Sequence, residues 1–175
     1  MNRNTKIIAV VLVILILATG IAVLVNYSHS KERLAILERQ EILLYEKGTE
    51  VCRITFSDLD EIGSTDFQAD LKSSTMMKPE THSYTGIPLS ELFSHAGISL
   101  EDKSRVMVGS IDGYCVPLKI EEVTAMDNVF LVYKDNGEFL KPYNEPEGQG
   151  PYMIVVRGDR YSQRWGKYVT ELNAE

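Results

Sequence analysis

Residues 7–25 read IIAVVLVILILATGIAVLV and hold no charged side chain. As a helix they would rise about 28 Å, close to the thickness of a bilayer's hydrocarbon core. Beyond them the pattern breaks into short runs of two periods. KERLAILERQE (31–41) is rich in helix formers, with Ser30 as its cap and Leu34, Ile36 and Leu37 as a narrow stripe. ILLYEKGTEVCRITF (42–56) alternates, predicting two strands around a turn at Lys47-Gly48, with Cys52 on the face of Ile54 and Phe56. SDLDEIG predicts a short helix capped by Ser57 and closed by Gly63. FQADLK predicts a strand, and SSTMMKPETHS a polar loop in which Met76 and Met77 cover a pocket mouth or merely clasp the loop. TGIPLSELFSHAGI predicts a helix with Pro88 in its first turn and Gly97 at its end. SRVMVGSIDGYCVPLKI and VFLVYKDNGEFL predict strand pairs turning at Asp112-Gly113 and Asn136-Gly137, with the short helix IEEVTAMD between them. After the Pro- and Gly-rich loop KPYNEPEGQGP, YMIVVRG predicts a buried strand, and RWGKYVTELNAE a last strand or short helix.

These elements predict one α+β, sheet-rich domain over 42–175. Before it come a cytoplasmic tail (1–6), a transmembrane anchor (7–25) and a helical stalk (26–41). Arg3 and Lys6 precede the apolar run; Lys31 and Arg33 follow it, offset by Glu32. The bias favours a single-pass protein of the cell membrane, with the N-terminus in the cytoplasm and the domain outside. A cleaved signal peptide is the rival reading, through the small residues at Ala18-Thr19-Gly20. Cleavage there would leave the apolar residues 21–25 at the new N-terminus, so an uncleaved anchor is expected.

The chain carries a formal charge of -7. Setting Arg3 and Lys6 aside leaves 16 bases against 25 acids, a balance of -9. So acidic a domain does not suit nucleic acid or an anionic membrane face. Cys52 and Cys115 are too few for a disulfide scaffold, and His29, His82 and His95 are scattered, so no metal site is expected. Cys115 stays open between a buried inert thiol, a disulfide with Cys52 and a functional thiol.

Against this acidity stands GPYMIVVRGDRYSQRWGKY (150–168). Arg157, Arg160, Arg164 and Lys167 gather there with only Asp159 among them. Guanidinium forks offer paired donors to phosphate or carboxylate, and Gly158 would let backbone N–H groups approach an anion. The competing reading is a structural network with the abundant carboxylates. Trp165 and Tyr168 read as core or as pocket wall. Asp112-Gly113 is turn chemistry, and Tyr114 can present its hydroxyl to a ligand.

Four stretches in order, VCRITFSDL, YTGIPLSELFSHAGI, DGYCVPL and GPYMIVVRGDRYSQRWGKYVTEL, resemble the molybdopterin-binding domain of the sulfite oxidase family of oxidoreductases. The resemblance covers roughly residues 42–174. It implies a sulfite oxidase-like fold, molybdopterin as the cofactor, and basic residues of the C-terminal stretch holding the cofactor phosphate. The set implied is Arg157, Arg160, Arg164 and Lys167, with Asp112 and Tyr114 nearby and Tyr84 and Gly86 lining the cleft. In the family the metal takes one protein thiolate from a loop that corresponds to LKSSTMMKPETHS. This segment has no cysteine. His82 is its one imidazole.

Three functions follow. The first is a non-catalytic, membrane-anchored binder of a small anionic ligand. The second is an active molybdopterin-dependent oxidoreductase. The third is an interaction domain on a membrane stalk. The missing thiolate favours the first.

Overall fold

The structure, a computed structural model, describes residues 2–175, apart from the side chains of residues 3–6, 10, 29 and 30. The chain divides into two compact units, Met1–Ala35 and Ile36–Glu175. Helix α1 (Arg3–Glu38) makes up the first and ends in the second, where Ile36 and Leu37 are buried. It is the one helix among the described residues long and apolar enough to cross a membrane. No glycine or proline lies between 21 and 38, so nothing interrupts it. The expected new start at Ser30 is therefore absent. The expected tail is already helical from Arg3, and Met1 lies outside the described residues.

In the second unit β1 (Ile42–Glu46) and β2 (Thr49–Ile54) form the expected hairpin, with Lys47 and Gly48 at positive φ. Helix α2 (Phe56–Ile62) starts earlier than expected. Thr55 precedes it, and its backbone N–H and hydroxyl donate to Asp58 Oδ2 at 2.6 and 2.7 Å. β3 (Thr65–Leu71) pairs along its whole length with β4 (Glu80–Pro88). The expected polar loop is thus shorter, because residues 80–83 join this ladder. Their alternation was hidden, since Glu80, Thr81 and Ser83 are all exposed polar residues.

Pro88 ends β4 and α3 (Leu89–His95) follows; Ile98 N–H then donates to Phe93 O at 2.9 Å across Gly97 at positive φ. β5 (Arg105–Ser110), β6 (Cys115–Lys119), α4 (Ile120–Thr124), β7 (Val129–Asp135) and the short β8 (Glu138–Phe139) come next. The chain closes with β9 (Met153–Val156), a 3-10 turn (Ser162–Arg164) and β10 (Val169–Ala174).

Two sheets result. One has the order β2-β1-β10-β5-β6; the other runs β3-β4-β7-β8, with β9 also on β7. β10 inserts parallel to β1, pairing Leu43 with Glu171 and Leu44 with Leu172. One apolar cluster joins both sheets: Leu44, Val108 and Leu172 come from the first, Tyr84, Leu131 and Ile154 from the second, and Leu92 and Phe93 from α3.

Gly86 sits within β4, where a Cβ would lie 2.6 Å from Leu131 O and 3.1 Å from Val132 Cα. The strand needs glycine for that close backbone approach. The cysteines are settled too. Cys52 and Cys115 lie on the two edge strands of one five-stranded sheet, four strand spacings apart, or about 19 Å. A disulfide needs Cα atoms within about 7 Å. Both thiols are free; Cys52 is half-buried, which pushes its thiol up, and Cys115 is exposed.

Candidate functional site

The loop at 72–79 and the basic C-terminal stretch, distant in sequence, meet in space. Lys72 N–H donates to Ser162 Oγ and Ser162 N–H donates to Lys72 O, both at 2.8 Å. The 3-10 turn is thereby fastened to the end of β3. Beside this junction opens a cleft of about 730 Å3. Asp70 and Lys72 come from the end of β3, Asp127 and Asn128 from the α4–β7 connection, and Arg157 and Trp165 from the C-terminal stretch.

The four cations have different placements. Arg157 lines the cleft. Its Nη1 donates to the Asp127 carbonyl at 3.2 Å and to the Asp127 carboxylate, and its guanidinium lies 5.5 Å above the Phe67 ring. No hydrogen bond uses its Nε or Nη2 among the described residues. Arg164 is half-buried and fully engaged. Its Nη1 and Nη2 reach the two oxygens of Glu122 at 3.1 and 2.7 Å, while Nε and Nη2 bond Asp159. The bond to Glu122, then that to Asp159, raises the Arg164 pKa, and the bond from Arg164 lowers that of Glu122. Arg160 and Lys167 are exposed, line none of the described cavities, and have no carboxylate partner among the described residues; Arg160 lies 5.4 Å over the Tyr161 ring.

The cleft itself is close to charge balance. Lys72 faces Asp70 at 3.4 Å, and Thr81 and then Lys72 hold the Asp70 carboxyl below its usual range. The Gly158 N–H, a candidate anion donor, is taken by Asn128 Oδ1 at 2.9 Å. Trp165 is buried, donates from Nε1 to Val156 O at 3.1 Å, and forms the floor of the cleft as part of the core.

Asp112 and Tyr114 lie on the β5–β6 turn. Asp112 Oδ1 accepts the Tyr114 N–H at 2.9 Å, and the Tyr114 hydroxyl donates to Gln163 O at 2.8 Å. That hydroxyl holds the turn against the 3-10 segment and lines none of the described cavities. Tyr84 is fully buried, edge-on to Trp165 at 5.9 Å, and burial pushes its phenol up. Met77 is fully exposed. His82 points its Nδ1 at Asp135 and lies outside the cleft. Among the described residues no three His, Cys, Asp or Glu side chains are grouped to hold a metal ion.

Sequence reasoning missed Glu122, Asp127 and Asn128. They stand 30 to 42 residues from the groups they bind, and no local pattern marks them.

Residues 47–175 match the family model described as the oxidoreductase molybdopterin binding domain. The fold is similar to the crystal structure of the sulfane dehydrogenase SoxCD from Paracoccus pantotrophus, with a TM-score of 0.61 and 21% identity. That similarity covers 78% of this chain and 38% of the other, so this chain spans well under half the length of that protein. No curated protein sequence matches.

Proposed function

Because the chain belongs to the oxidoreductase molybdopterin-binding domain family, we propose that it is a membrane-tethered, extracytoplasmic binding module, which takes a small anionic ligand in the cleft and transfers no electrons. The loop between β3 and β4 carries this reading. It borders the cleft at Lys72 and offers the hydroxyls of Ser73, Ser74 and Thr75 and the thioethers of Met76 and Met77, but no thiol. A neutral hydroxyl is a poor substitute for the soft thiolate that the family's metal takes here. Arg164 has both carboxylate partners already, and the Gly158 amide is bonded. The residues present do not fit the metal-bearing cofactor, and no redox step is assigned to it.

Arg157 is the cation suited to a ligand. Only its Nη1 is committed, so Nε and Nη2 keep a paired-donor edge for a carboxylate or phosphate. Lys72 lines the same cleft, and its single carboxylate contact leaves N–H groups free. The span from Ile7 supports tethering, and Arg3 and Lys6 before it support a cytoplasmic N-terminus.

Thermal unfolding of the full chain in detergent, with phosphate, sulfate and succinate as probes, tests this reading. A ligand at about 100 times its Kd adds about 2.7 kcal/mol. Arg157→Ala should abolish the stabilisation and Arg160→Ala should retain it. An equal response in the Arg157 variant and the native chain, or no response in either, defeats the reading. The second reading, an active molybdopterin-dependent oxidoreductase, would need a metal thiolate from outside the loop; the free thiol of Cys115 on β6 is exposed but lines none of the described cavities.

A further inference from the structure

A second pocket, of about 260 Å3, opens beside the β7–β8 hairpin and shares no lining residue with the cleft. His82 forms part of its wall. The imidazole Nδ1 lies 2.8 and 2.9 Å from the two carboxylate oxygens of Asp135. The ring stacks on Tyr84 with centroids 5.5 Å apart and planes within 5°. These contacts fix both the ring and its tautomer: Nδ1–H donates to Asp135, and in the neutral imidazole Nε2 keeps its lone pair. No hydrogen bond uses that lone pair, and the Glu80 carboxylate stands 3.9 Å away.

Around this acceptor the pocket is lined by Glu138, Lys141 and Glu147. None of the three has an ion-pair partner among the described residues. This differs from the cleft, where Lys72 and Arg157 each have an aspartate. Phe139, 61% exposed, adds an apolar wall.

We propose that this pocket binds a small zwitterion of amino-acid size, with one ammonium and one carboxylate. The ammonium donates to His82 Nε2 and pairs with Glu138 and Glu147. The carboxylate pairs with Lys141, and the ligand's apolar part lies against Phe139. A simple anion would face three carboxylates, Asp135, Glu138 and Glu147, and a lone pair. A simple cation would leave Lys141 unpaired and repelling it. The volume lies just below the ~300–1,000 Å3 of pockets for drug-sized molecules, which suits an amino acid better than a peptide or nucleotide.

Isothermal titration of the full chain in detergent, with leucine, leucinamide and N-acetylleucine as probes, tests the proposal. Leucine should bind. Leucinamide, lacking the carboxylate, and N-acetylleucine, lacking the ammonium, should each bind about tenfold more weakly or worse. Glu138→Gln, in an exposed hairpin where folding is not at risk, and His82→Phe should each weaken leucine binding by at least about threefold. Arg157→Ala should leave it unchanged, which separates this pocket from the cleft. Absence of leucine binding at millimolar concentration, equal binding of leucine and N-acetylleucine, or an unchanged affinity in Glu138→Gln and His82→Phe would overturn the proposal.

Discussion

Arg164 and Glu122 grip each other as two parallel hydrogen bonds, 3.1 and 2.7 Å long, between residues 42 positions apart. The fork ties the 3-10 turn to α4, so this arginine holds the wall of the cleft. Arg164→Ala should cost about 2–3 kcal/mol, since it strands Glu122 and Asp159 in partly buried positions. Arg160→Ala, at an exposed cation without an acid partner, should stay within about 0.5 kcal/mol. Urea denaturation of the two variants checks the contrast.

Acid should expose the same pair. The bond from Arg164 lowers the folded-state pKa of Glu122 below its unfolded value, ordinarily about 4.3. A depressed carboxylate contributes stability above the unfolded pKa and loses it as pH falls through the folded one. Stability should therefore decline below about pH 4. Glu122→Gln should be less stable near neutrality and show a shallower acid decline. Equal acid slopes in variant and native chain would assign the decline to other carboxylates, such as Asp58 with its Thr55 bonds.

Gly86→Ala places a methyl 2.6 Å from a backbone oxygen of the neighbouring strand. Neither β4 nor β7 has a flexible side chain there to yield. A loss of about 2 kcal/mol or more is expected by thermal unfolding. Gly48→Ala has open space and meets only the cost of its positive φ, about 1 kcal/mol.

Labelling under denaturing, non-reducing conditions should find two free thiols per chain. In the folded protein Cys115 should react quickly, and Cys52 slowly because burial raises its thiol pKa. A single slow thiol, or none, would contradict the edge-strand placement.

The contrast between Gly86 and Gly48 also marks what the sequence disclosed. Gly48 and Asn136-Gly137 announced their hairpins, because a turn at positive φ is a local demand. Gly86 needs glycine because of Leu131, on a strand 45 residues away. The apolar run at 7–25 and the alternating strands were legible from period alone. The β1–β10 pairing was not, since it joins the two ends of the domain. The site divided in the same way. The stretch from Arg157 to Lys167 was visible as a local excess of charge. Its division into a half-committed arginine, a locked one and two exposed cations depends on Asp127 and Glu122, whose chain positions give no hint.

If the cleft holds its ligand without a metal, the purified chain should carry neither metal nor pterin. The full chain, produced in a host that makes the cofactor and purified in detergent, should be analysed for molybdenum and tungsten by elemental analysis. Pterin should be measured by fluorescence after acid release. Only traces of each are expected. Close to one metal and one pterin per chain, lost in Cys115→Ser, would contradict the metal-free reading and establish the oxidoreductase reading instead.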